Sequence, residues 1–242
     1  MNGCLVVHGL TGTPGTALSL KEALLRAGFY VSAPCLAGHG VSMEDLEKST
    51  WMEWYETVRT AFGELRRESE KVYFAGTSLG ALLGLKLAID EGWGVRAMAL
   101  MATPLKFSWF ERLAIPLVRY TPLRWAVKSI PKEVGLSVAD PEGQKRYEEL
   151  SLPAIPSRAV FQIADLQREL LPNLSKITNP VLLLHGLNDT VAPKENVELV
   201  KKNLSSDIVE TIIMPNSRHV LTMDYDKDNV ARAIVDFFER FA

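Results

Sequence analysis

Val72-Tyr73-Phe74-Ala75-Gly76-Thr77-Ser78-Leu79-Gly80-Ala81 runs a short apolar strand into a G-x-S-x-G turn, and the stretch that follows, Ala81 to Ile89, reads as an amphipathic helix. A serine at a tight strand-to-helix turn is forced into a strained backbone conformation, and its hydroxyl then projects beyond the sheet edge. Gly76 and Gly80, with Ala75 and Ala81 just outside them, leave room for that turn and for close packing of helix on strand. The free N–H groups and positive dipole end of the helix point to where an oxyanion would develop during acyl transfer. Ser78 is thus the candidate nucleophile.

Such a serine needs a base and an orienting acid, which after this turn follow in the chain order Ser, Asp, His. Pro180 to Gly186 reads as a buried parallel strand ending in a turn, and Asp189 lies three residues past the glycine, where open α/β sheets place working residues. Ile208 to Met214 forms a second β-branched strand, and its following loop carries His219. His8 and His39 precede the serine in glycine-containing loops and read as side chains bonded to local backbone. His185 closes the strand that leads to Asp189 and reads as structural. Among other acids, Asp165 falls in a helical stretch, Asp207 at a strand entry, and Asp224 and Asp226 beyond the histidine.

Strands and helices alternate, which implies a parallel sheet covered on both faces. Strands are expected at Cys4–Val7, Tyr30–Ala33, Lys71–Ala75, Arg96–Met101, Val181–His185 and Val209–Met214. One long helix is expected from about Glu44 to Arg67, with Trp51, Trp54, Tyr55, Val58, Phe62 and Leu65 at three- and four-residue steps as core rather than ligand box. A last helix, Asn229 to Phe241, turns Val230, Ile234, Phe237 and Phe238 inward. At 242 residues, 47% hydrophobic and 23% charged, the composition is that of one α/β domain. The net charge of −2 gives no electrostatic footprint for nucleic acid. No basic-then-apolar leader and no long uncharged apolar stretch is present, so the expected address is cytoplasmic, with no transmembrane segment. Cys4 and Cys35 read as buried free thiols. No metal-ligand spacing occurs and no cofactor is implied.

Six ordered motifs carry a resemblance: Val7-His8-Gly9-Leu10-Thr11-Gly12, Leu36-Ala37-Gly38-His39-Gly40, Trp51-Met52-Glu53-Trp54, the turn at Ser78, His185-Gly186-Leu187-Asn188-Asp189, and Ser217-Arg218-His219-Val220. The chain resembles the α/β-hydrolases, and within them the small bacterial carboxylesterases and monoacylglycerol lipases. The resemblance implies a sheet without the first strands of the full superfamily fold, since Cys4–Val7 opens the chain. It implies Ser78 as nucleophile, Asp189 as acid, His219 as base, and the backbone N–H groups of Leu10 and Leu79 as oxyanion hole. It also implies a small uncharged ester of short or medium acyl chain as substrate, monoacylglycerol included. The glycines after β-strand residue Val7 are not a phosphate loop, because no Lys-Ser or Lys-Thr follows. The same residues would serve a thioesterase, amidase or acyltransferase. A non-catalytic binding protein of this fold would be marked by a missing triad member, and none is missing.

Residues 104–172 break the alternation, with recurrent prolines and short apolar helical runs, and read as a cap inserted within the single domain 1–242. Between Pro104 and Lys132, six basic residues and one acid are interleaved with Phe107, Trp109, Phe110 and Trp125. Those four aromatics are expected to wall an acyl pocket over Ser78. The competing expectation for the same pattern is weak contact with an anionic lipid surface.

Overall fold

Four apolar runs are buried at every position, which happens to a strand only when both its faces are covered. They are β1 (Gly3–Val7), with β3 (Val72–Thr77), β4 (Met98–Met101) and β7 (Val181–Gly186) after it. In the computed structural model, which describes residues 1–242, they form the middle of a six-stranded sheet. Its edges are β2 (Tyr30–Ser32) and β8 (Val209–Met214). The order is β2-β1-β3-β4-β7-β8, and every neighbouring pair is parallel. The two remaining strands, β5 (Ser129–Pro131) and β6 (Ala154–Pro156), form a separate antiparallel pair between β4 and β7 in sequence.

Strand side chains alternate between two cores. Leu5, Val7, Phe74, Leu100 and Leu183 face α3 (Trp51–Glu68), α4 (Leu79–Glu91) and α9 (Ser157–Leu170). Cys4, Val6, Tyr73, Ala75, Ala99, Leu182 and Leu184 face α1 (Leu18–Arg26) and α11 (Lys227–Glu239), the latter through Val230, Ile234, Phe237 and Phe238. Outside these lie α2 (Met43–Lys48), α5 (Trp109–Tyr120), α6 (Leu123–Ala126), α7 (Val134–Ser137), α8 (Pro141–Glu149) and α10 (Glu195–Asn203).

Several sequence expectations are corrected. The long helix is two, α2 and α3, because Thr50 is extended and caps α3: its hydroxyl accepts from Glu53 N–H, and the Glu53 carboxylate accepts from Thr50 N–H at 2.8 Å. The aromatic stripe on α3 does pack the core, with Trp54 fully buried and its indole N–H donating to Ser49 Oγ at 2.8 Å. The α4 helix is not amphipathic but almost wholly buried, since it lies under α3 and α9 as well as on the sheet. Cys4 is buried, whereas Cys35 is exposed, in the loop beyond the short edge strand β2. Finally, α9 falls inside the expected cap of 104–172, yet Ala159, Ile163, Leu166 and Leu170 belong to the main core. Only the stretch before it, α5 through β6, stands outside the sheet's two covering layers. No helix is long and apolar enough to cross a membrane.

Two glycines should respond oppositely to alanine. Gly63, inside α3, has nothing within 4 Å of a new Cβ, so Gly63→Ala should stabilise by about 0.5–1 kcal/mol through the backbone entropy of the unfolded chain. At Gly80 a Cβ would stand 2.3 Å from Val7 carbonyl oxygen, so Gly80→Ala should cost about 1–3 kcal/mol or more as β1 is pushed from the turn. Urea unfolding of both variants checks the pair, and equal effects of one sign would contradict this packing.

Candidate active site

Ser78 stands between β3 and α4 with φ 54° and ψ −113°, one of three non-glycine residues at positive φ. The turn is held by Ser78 N–H donating to Met101 carbonyl at 2.9 Å and by close contacts only glycines permit. A Cβ on Gly76 would lie 2.5 Å from the Gly80 backbone, and one on Gly80 2.3 Å from Val7 carbonyl oxygen, whereas Gly9 is in ordinary contact with Ser78. Leu79 is the first residue of α4, where the backbone N–H has no partner within the helix. Leu10 follows Gly9 and lines the same small cavity as Ser78.

The other two residues arrive from the ends of β7 and β8. His219 Nε2 is 2.9 Å from Ser78 Oγ, and its Nδ1 is 2.9 Å from Asp189 Oδ2. The Asp189 side chain is fully buried, and its Oδ1 accepts from the N–H groups of Val191 and Ala192 at 2.8 and 2.9 Å. Burial alone would raise its pKa, but the His219 ring and these N–H donors together hold the carboxyl below its ordinary range. An ionised Asp189 accepts only, so Nδ1 of His219 carries a proton and Nε2 is left to accept from the serine hydroxyl. Gly186 makes the approach of the two loops possible, as a Cβ there would meet Arg218 carbonyl oxygen at 2.2 Å.

Asp165 pairs with Arg119 and Arg168, and Asp226 accepts from Asn216 N–H and Ser217 Oγ. His185 is buried with Nε2 3.5 Å from Asp189 Oδ2 and no hydrogen-bond partner at either nitrogen. The cavity of about 20 Å³ at Ser78 is lined by Gly9, Leu10, Gly12, Thr16, Thr77, Tyr147, His219 and Val220. None of the four cap aromatics is among them. Trp109, Phe110 and Trp125 are exposed, because α5 and α6 turn that face to solvent, and Phe107 packs on the main core and lines a separate groove. The insertion's residue at the cavity is Tyr147, on α8, which sequence reading missed; a single aromatic in a mostly charged helix gives no sign of where it points.

Residues 2–226 match the family model described as Hydrolase_4, serine aminopeptidase S33. The chain belongs to this α/β-hydrolase family. It is 29% identical over 251 aligned residues to a thermostable monoacylglycerol lipase of Bacillus sp. (strain H-257), covering 99% of this chain and 91% of that one. To a carboxylesterase of Bacillus subtilis (strain 168) it is 24% identical, covering 98% and 92%. Among solved structures, one from a study of the metagenome-derived lipolytic enzymes LipS and LipT superposes with TM-score 0.88 at 25% identity, covering 99% and 94%. The monoacylglycerol lipase of Paleococcus ferrophilus gives TM-score 0.84 at 22% identity, covering 99% and 95%. The six-stranded parallel sheet and its helices are therefore the α/β-hydrolase fold expected from the motifs.

Beside the Gly9-Leu10 loop lie two further buried histidines. His8 accepts from Leu36 N–H through Nε2 and bonds Gly9 carbonyl through Nδ1. His39 bonds Ala37 carbonyl through Nδ1, and its Nε2 is buried without a partner. Their rings meet edge to face at 5.2 Å, so a charge on either is badly solvated. Burial pushes His8 down to about 3 and His39 down to about 4.

Both folded values lie below the unfolded value near 6.5, so the unfolded chain binds these protons first. Their contribution to stability is whole above pH 6.5 and is lost as pH falls toward 4, by up to about 1.4 kcal/mol per pH unit for each ring. Urea unfolding at pH 7.5, 6 and 5 should show this decline. His39→Leu should lessen it, while Asp189 and Asp226, whose values are lowered, act only at lower pH. An unchanged slope in that variant would assign the acid sensitivity elsewhere.

Proposed function

We propose that the chain hydrolyses carboxylic esters through an acyl-enzyme on Ser78. What carries the reading is the continuous line of contacts at 2.9 Å from Ser78 Oγ through the His219 ring to Asp189, at the carboxyl ends of three parallel strands. His219 takes the serine proton as Oγ attacks the ester carbonyl, and Asp189 fixes the imidazole tautomer and stabilises its cation. The N–H groups of Leu10 and Leu79 receive the tetrahedral oxygen; each such backbone donor is worth about 10²–10³ in rate. His219 then protonates the departing alcohol. A water, deprotonated by the same ring, releases the acid and restores Ser78. Relatives named as a monoacylglycerol lipase and a carboxylesterase support an uncharged ester of short or medium acyl chain, including monoacylglycerol.

The family description favours one second reading, amide hydrolysis, since it names an aminopeptidase. Matched ester, thioester and amide substrates separate the two by kcat/KM. A fluorophosphonate should label Ser78 alone, and Ser78→Ala should abolish labelling and turnover in a protein that still folds. His219→Ala and Asp189→Asn should each lower kcat by several orders of magnitude, about 10⁴ for the acid by analogy with a serine protease. Labelling at another residue, or near-normal turnover of Asp189→Asn, would overturn the assignment.

The exposed aromatics of the insertion support weak contact with an anionic lipid surface. Trp109, Leu113, Leu117 and Tyr120 recur on one exposed face of α5, beside exposed Phe110 and Trp125. Lys106, Arg112, Arg124 and Lys128 flank them, and only Arg119 of the nearby cations is paired to a carboxylate across the insertion. Apolar insertion and basic charge act together at such a surface. The protein should sediment with vesicles containing phosphatidylglycerol and not with pure phosphatidylcholine, and Trp109→Ala with Phe110→Ala should lower the bound fraction. Equal binding to both vesicles, or none to either, would reject this contact.

A further inference from the structure

Asp224 is fully buried, and no cation pairs with it. Its carboxylate accepts four backbone N–H groups from two separate stretches of chain. Oδ2 takes Arg218 N–H at 2.8 Å and Ala139 N–H at 2.9 Å; Oδ1 takes Tyr225 N–H at 2.9 Å and Asp140 N–H at 3.0 Å. Each oxygen thus joins one donor from the loop that carries His219 to one donor from the entry to α8 in the insertion. Arg218 is the residue next to His219.

Three independent contacts make the same junction. Val220 N–H donates to Ser137 carbonyl at 2.9 Å. Val220 and Met223 pack with Val138 and Tyr147 in a small apolar cluster of their own. Gly143 lies so close that a Cβ there would stand 2.0 Å from Met223 carbonyl oxygen. The histidine loop is therefore docked on both sides: on β7 through Gly186, and on the insertion through Asp224.

We infer that Asp224 is a positioning residue for His219, tying the histidine loop to the insertion so that the insertion sets where the imidazole stands. The inference rests on His219 being the base. A carboxylate suits the task because it accepts at both oxygens and donates at neither. The isosteric amide accepts at one only, so Asp224→Asn breaks one loop bond and one insertion bond in either orientation. A shift of about 1 Å in a catalytic group suffices for about 10² in rate.

The experiment compares Asp224→Asn, Gly143→Ala, Lys227→Ala and His219→Ala with wild type. For each, a fluorophosphonate gives the labelling rate and its endpoint counts competent sites, while a soluble ester gives kcat and KM. Asp224→Asn should lower the labelling rate and kcat per labelled site by about 10² with KM little changed. Gly143→Ala, which disturbs the junction from the insertion side and leaves Asp224 in place, should do the same, and it carries the test if Asp224→Asn does not fold. The low-field proton resonance of His219 Nδ1–H should broaden or move in both. Lys227→Ala, which removes only a partly exposed pair with Asp140, should match wild type. Wild-type kcat per site and an unmoved resonance in both junction variants would overturn the inference, as would activity loss that merely follows loss of folded protein. A His219→Ala protein that still labels at the wild-type rate would instead remove the base assignment itself.

Discussion

The rest of the molecule depends on the crossing of β1 with the turn between β3 and α4. Gly80 brings α4 to within contact of the β1 backbone at Val7 and His8, and Gly76 lets the turn close on Gly80. Given that closeness, Ser78 has to take a positive φ, at a cost on the order of 1–3 kcal/mol. The surrounding strands offset this cost, because β1, β3 and β4 are buried throughout and cannot relax without exposing apolar surface. The same crossing sets Gly9 and Leu10 beside the serine, at the N-terminal end of α4. Ser78 and the proposed oxyanion donors are thus set side by side by one packing constraint.

The opposite half of the site repeats the device with different residues. Gly186 ends β7 and lets the backbone of Ser217 and Arg218 press against it, which brings His219 within reach of an acid on the neighbouring loop. Parallel strands make this possible because all their carboxyl ends lie along one edge. Asp189 then needs nothing from solvent. Its Oδ1 is satisfied by two backbone donors and its Oδ2 by the imidazole, so the charge that would be costly to bury is fully coordinated.

Legibility in the sequence followed how each feature is encoded. The buried strands were readable to within about two residues, since a continuous apolar run bounded by glycine, proline or a charged residue has few other uses. Ser78, Asp189 and His219 stood out because loops at strand ends carry few alternatives, and the structure brings their side chains together. The break between α2 and α3 was missed although Thr50-x-x-Glu53 is a capping box, because the apolar spacing runs on across Ser49 and Thr50. The cap aromatics were misplaced for a different reason. Composition says that a helix has an apolar face but not whether that face meets the site or the solvent, and on α5 it meets the solvent. Asp224 was invisible as an anchor, since its partners are backbone groups of residues remote in sequence and leave no pattern.

The insertion has two unlike sides, and the difference is physical rather than nominal. Toward the site it is held by directional bonds: Leu152 N–H to Thr11 carbonyl at 2.9 Å, Thr13 hydroxyl to Leu150 carbonyl at 3.1 Å, and the Asp224 junction. These bonds reach both the loop of Leu10 and the loop of His219, so one piece of chain borders both halves of the candidate site. Away from the site, α5 is tied to α9 by the bidentate pair of Arg119 with Asp165 and buries none of its side chains fully. Local opening begins where buried apolar contact is least. Motion in the insertion should therefore concentrate in α5 and α6, leaving the α8 side fixed against the site, and the two faces can change in sequence for different ends without disturbing each other.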